Sequence, residues 1–130
     1  MATWADVVGY VHSNYRVSDE RPNMIKLVFE VSGLRTQVVF VWHLALMDGT
    51  EEWIQIESPF GEFGQVDLAA ALEKVSETVC GGLALYQNMV TFRHAVPLAN
   101  MNINEFERPL TLVTSTADQF ERALTGGDQF

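Results

Sequence analysis

One cysteine among 130 residues leaves no internal disulfide to form, and nothing points to an oxidising compartment. Basic residues are scarce: 8 Lys and Arg stand against 17 Asp and Glu, a net charge of −9. A chain this acidic repels phosphate backbones, and no basic stripe offsets that locally, so nucleic acid is not the expected partner. Long apolar runs are missing too. The longest, about Val38 to Met47, is interrupted by His43, well short of the roughly 20 residues a membrane helix needs. The opening Met-Ala-Thr-Trp-Ala-Asp has neither the basic start nor the apolar core of a signal peptide, and the expected compartment is the cytoplasm.

Catalytic and metal-binding motifs are equally absent. His12, His43 and His94 fall on three different elements, no two share HxH or HxxxH spacing, and Cys80 has no CxxC partner. Cys80 sits at the end of an expected helix, where the dipole disfavours a thiolate, so a structural thiol is the better reading. Ser58-Pro59-Phe60-Gly61 is not a nucleophile elbow. Gly61-Glu62-Phe63-Gly64 lacks the Lys-Ser/Thr of a phosphate loop, and its glutamate would repel phosphate. Asp118, Glu121 and Arg122 have the spacing of a solvated helix face rather than of an acid–base pair. No cofactor, no metal and no enzymatic activity are expected.

What remains is ordinary globular material. Hydrophobic residues make up 48% and charged residues 19%, enough for a single core, and residues 1–130 read as one domain. Thr3 with Asp6 opens a helix whose apolar stripe is Trp4, Val7, Val8, Val11 and Tyr15. The polar stretch Arg16 to Asn23 breaks it. A strand from about Met24 to Ser32 puts Ile25, Leu27, Phe29 and Val31 on one face, and Ser32-Gly33 turns it. Thr36 to Met47 is a long strand. Asp48-Gly49 signals a type I′ hairpin, because that turn needs φ > 0 at both central residues. The next strand, Glu51 to Ser58, stops at Pro59.

Asp67 caps a second helix with the stripe Leu68, Ala71, Leu72, Val75 and Val79, ended by Gly81-Gly82. Strands at about Leu83 to Asn88 and Val90 to Pro97 form a hairpin. Asn102 and Glu105 open the last helix, with Phe106, Leu110, Val113, Ala117, Phe120 and Leu124 inward and a stop at Gly126-Gly127; Pro109 implies a kink or a restart. The order α-β-β-β-α-β-β-α, rich in hairpins, makes the fold class α+β, with helices laid on an antiparallel-rich sheet.

The long strand is apolar on both sides. Val38, Phe40, Trp42, Leu44 and Leu46 make one face; Val39, Val41, His43, Ala45 and Met47 make the other. Two-sided apolarity demands cover on both sides, and the helices are expected to claim only one. The face of Val39, Val41 and His43, with Trp53 or Gln55 beside it, is therefore expected either to receive another chain or to be folded over within the monomer by a helix or the last hairpin.

The element order, the length and the acidic balance resemble the type III secretion chaperone-like fold. Within it the likeness is to the YbjN-like peptide-binding chaperones of actinobacteria. The likeness rests on the Trp4 helix, the strand Gln37-Val38-Val39-Phe40-Val41, and Ser58-Pro59-Phe60-Gly61 leading into Asp67-Leu68. The closing run Ala117-Asp118-Gln119-Phe120-Glu121 with Leu124-Thr125-Gly126-Gly127-Asp128 adds to it. The resemblance implies a cytoplasmic, often dimeric bacterial protein that holds an extended segment of a client polypeptide without chemistry. The alternative is a small-ligand or regulatory domain with a cavity between sheet and helices.

Overall fold

In the computed structural model, which describes residues 2–31, 33 and 35–125, the chain begins as its caps dictate. The Thr3 hydroxyl accepts from the Asp6 N–H (3.1 Å), and the Asp6 carboxylate accepts from the Thr3 N–H (2.9 Å). This capping box starts helix α1, Trp4–Asn14. Val7 and Val11, one turn apart, are its buried residues.

The polar stretch after α1 is not a break. Arg16–Arg21 forms strand β1, paired antiparallel with β2, Met24–Val31. Of its six residues only Val17 is even half-buried. With Val17 alone packed against the core, no apolar alternation announces this strand.

β3, Arg35–Leu46, pairs with β2 and with β4, Glu51–Glu62. β4 does not stop at Pro59. The register shifts between Pro59 and Gly61 as β4 pairs with β6, Met89–Pro97. A bulge is where a central strand tolerates a residue that has no N–H to donate. The β3–β4 loop holds two overlapping turns: Gly49 N–H donates to the Leu46 carbonyl and Thr50 N–H to that of Met47. Met47, Asp48 and Gly49 all have positive φ, so the Asp48-Gly49 pair turns as expected, within a loop two residues longer than a minimal hairpin.

Helix α2, Leu68–Val75, is capped by Asp67, whose carboxylate accepts from the Ala70 N–H. It ends well before Gly81-Gly82. Ser76 and Thr78 hydroxyls donate to the carbonyls of Glu73 and Val75, an alternative to continued helix. Val79, expected on the stripe, is fully exposed. Gly81, at φ +91°, lays its backbone on the Phe92 ring; a Cβ there would come within 2.3 Å of Phe92 Cζ. Strand β5, Gly82–Tyr86, then pairs with β6 around a two-residue turn, Gln87-Asn88, with both φ positive.

A 3-10 turn, Ile103–Phe106, leads into α3, Glu107–Leu124. Pro109 therefore sits in the first turn of α3, where its missing N–H breaks no helical bond: the interruption is a restart. The expected stop at Gly126-Gly127, and Ser32 of the Ser32-Gly33 turn, lie outside the described residues.

The architecture is α+β: the described residues form six antiparallel strands in the order β1-β2-β3-β4-β6-β5, with three α-helices. The core lies on one face of the sheet. Ile25, Leu27, Val39, Val41, Ile54, Ile56, Phe60, Val90 and Phe92 cluster there with Val7 and Val11 of α1, Ala71 of α2, and Leu110, Val113, Ala117 and Phe120 of α3. Each large side chain so buried contributes about 1.5–3 kcal/mol. Phe120 meets the edges of both Phe60 and Phe92, with centroids 5.3 and 5.7 Å away.

Candidate functional site

The five residues expected to receive a partner do not share a surface. Val39 and Val41 are fully buried in the helix-covered core, and His43 lies on the same face, stacked on Trp4. Trp53 and Gln55 pair in register with Leu44 and Trp42, on the opposite face. The helices took the face of β3 that was expected to stay open.

The opposite face largely covers itself. Phe40 and Trp42 stack on one another, and Tyr86 packs edge to face on both, 5.1 Å from Phe40 and 5.4 Å from Trp42. Phe40 is left 7% exposed. Glu57, buried beside them, accepts from Trp42 Nε1 (3.1 Å) and Thr91 Oγ1 (2.7 Å), so its charge is solvated by two donors. What stays open is the hairpin tip, where Leu44, Leu46 and Met47 are exposed.

Asp118 and Glu121 are not on a solvated face. Both are buried, and Arg35 Nε lies 3.0 Å from Asp118 and Arg35 Nη2 3.6 Å from Glu121, while Arg122 also reaches Asp118 at 3.0 Å. These charges tie α3 to the start of β3. Gln37, fully buried, donates through Nε2 to Ser58 Oγ and the Pro59 carbonyl. Among the described residues no three His, Cys, Asp or Glu side chains converge as metal ligands would, and no helix is long and apolar enough to cross a membrane.

The sheet's two edges differ. β1 is charged, and its register shifts between Val17 and Asp19; charge and a bulge are the features that keep an edge from accepting another strand. β5 reads Gly-Leu-Ala-Leu-Tyr, with no charge and no proline. It is the sheet's other edge strand, and among the described residues it pairs only with β6, so its outward N–H and C=O groups have no strand partner there.

Beside that edge runs an apolar groove of about 340 Å³ lined by Phe63, Leu68, Leu72, Leu83, Ala84 and Leu85. Phe63, Leu68, Leu72 and Leu85 are 49%, 40%, 60% and 58% exposed, a concentration of open apolar surface of the kind that marks interaction sites. α2 sets one wall because Asp67 fixes its start, bringing Leu68 and Leu72 to the same side one turn apart. Phe63 is positioned by its own N–H, which donates to the Asn88 carbonyl (2.8 Å) at the β5–β6 turn. Asp67 and Glu73 flank the two leucines in sequence and give the surroundings negative charge.

By spacing, Leu68 and Leu72 belong to the core stripe of a helix and Leu83 to Leu85 to an ordinary hairpin; in the fold they line this groove. The signal the sequence does carry is the short, wholly uncharged segment Gly82 to Tyr86.

No family model matches the chain, and no curated protein aligns with it.

Proposed function

We propose that the protein is a chaperone-like peptide-binding module that adds an extended client segment to the β5 edge. One observation supports this above all: an uncharged edge strand, whose outer side has no strand partner among the described residues, lies against an open apolar groove, while the sheet's other edge is charged and bulged. Backbone pairing to β5 supplies affinity, and alternate apolar side chains of the client drop between Leu68, Leu72 and Leu85. The net charge of −9 and the acidic flanks of α2 favour a client with basic residues beside its apolar ones. The reading involves no chemical step and no cofactor, and it agrees with what the resemblance to YbjN-like chaperones implies. We take the cytoplasm as its compartment.

The test uses fluorescent ten-residue peptides of alternating leucine and lysine, read by anisotropy. Binding is expected, weakened at least tenfold by Leu72→Asp in the protein and by N-methylation of the peptide's pairing amides. Failure to bind, or binding indifferent to both changes, overturns the reading. Light scattering on the free protein reports whether a second copy occupies β5 instead; a dimer that Leu72→Asp leaves intact, with no peptide binding, counts against it.

A further inference from the structure

A second concavity lies away from β5, between β6, the start of α3 and the turn that follows α2. It measures about 480 Å³ and is lined by Val96, Met101, Pro109 and Leu112, with Cys80, His94, Glu105 and Arg108 around them. That volume falls within the roughly 300–1,000 Å³ in which small organic ligands are held. Its composition is that of a ligand site: apolar walls with a few polar side chains among them.

Arg108 is the informative residue. Carboxylates outnumber cations two to one in this chain, and Arg35 and Arg122 are both paired with buried acids. Yet among the described residues the Arg108 guanidinium makes no ion pair and no hydrogen bond, and the same holds for the half-buried imidazole of His94. An unpaired guanidinium at the rim of an apolar hollow is the arrangement that recognises a carboxylate. Glu105, three residues earlier on the same rim, opposes a second negative charge.

We infer that this cavity binds a small organic monoanion, a single carboxylate on an apolar body. The carboxylate lies against Arg108 and the body over Val96, Met101 and Leu112. The inference does not depend on the β5 reading. Octanoate, octylammonium and octanol, titrated by calorimetry, separate charge from apolarity. Octanoate should bind at least tenfold more tightly than octylammonium. Arg108→Gln, a change at an exposed position, should remove that advantage and leave octanol unaffected. Leu112→Trp should block octanoate and octanol alike in a protein whose circular dichroism is unchanged. Cys80 is the sole thiol and lines this cavity, so octanoate should also slow its alkylation by iodoacetamide several-fold. No preference for octanoate, an Arg108→Gln variant that binds it as before, or unprotected Cys80 overturns the inference. So does binding abolished by Leu72→Asp but not by Arg108→Gln, which would put the ligand in the β5 groove.

Discussion

The indole of Trp4 lies flat on the imidazole of His43, with ring centroids 5.2 Å apart and planes 7° from parallel. Trp4 Nε1 also donates to the Pro22 carbonyl (3.0 Å), and His43 Nε2 sits 2.9 Å from Glu52 Oε1. The start of α1 is thereby pinned to the β1–β2 turn and to the β3–β4 ladder. This stack commits the Val39, Val41 and His43 face to the protein's own helices.

Val41→Glu is therefore a folding mutation. Val41 is fully buried between Ile25 and Ile56 in register, and a carboxylate there has no counter-ion. The cost should be several kcal/mol, and the variant should express poorly or lack a cooperative melt by circular dichroism. Gln55→Ala, on the outer face, removes an acceptor 3.3 Å from Arg93 Nη1 and should cost less than about 1 kcal/mol. A folded, monomeric Val41→Glu protein would contradict this placement of the core.

Two glycines separate backbone strain from steric clash. Gly49 has φ +85° with nothing near its missing Cβ, whereas Gly81 has φ +91° and the Phe92 ring directly against it. Gly49→Val should cost about 1–2 kcal/mol through φ alone. Gly81→Val should cost clearly more, because Phe92 would have to leave its contact with Phe120. Urea denaturation of the two variants measures the difference; equal losses would show that Phe92 moves without penalty.

Alkali should destabilise the protein through Tyr10 and Tyr15. Their hydroxyls donate to the two oxygens of Glu107, at 3.2 and 3.3 Å. Burial, the neighbouring Tyr10 and the Glu107 charge push the Tyr15 hydroxyl well above the usual 10.0. Burial and then Glu107 raise Tyr10. A pKa raised on folding contributes stability that is complete below the unfolded value and lost as pH climbs towards the folded one. Stability should thus hold to about pH 9 and fall by about pH 11, with Tyr15→Phe flattening the decline. Urea melts across that range, with tyrosinate absorbance followed in parallel, make the measurement; a flat profile would refute it.

How much of this was legible in the sequence follows from the range of the interactions. α1 and α3 were readable because caps and 3.6-residue stripes are local: Thr3 with Asp6, and Leu110, Val113, Ala117 and Phe120 on one side of α3. The Asp48-Gly49 turn was readable because positive φ selects its residues. β1 was not, since an exposed edge strand is held by backbone pairing that side chains do not record. The apolar stripe overextends α2 because the hydroxyls that stop it, Ser76 and Thr78, read as ordinary helix residues.

The sequence by itself determined that β3 would be apolar on both faces and that the fold would be α+β. Tertiary structure alone decided which face the helices cover, because a two-residue alternation says that a side is buried without saying by what. It also decided where β5 lies. β6 pairs with β4, so β5 is pushed to the outside of the sheet, and Leu68 and Leu72, core residues by their helical stripe, line an open groove with Leu85 instead. Strand order is set by pairings distant in sequence, and no local pattern encodes it.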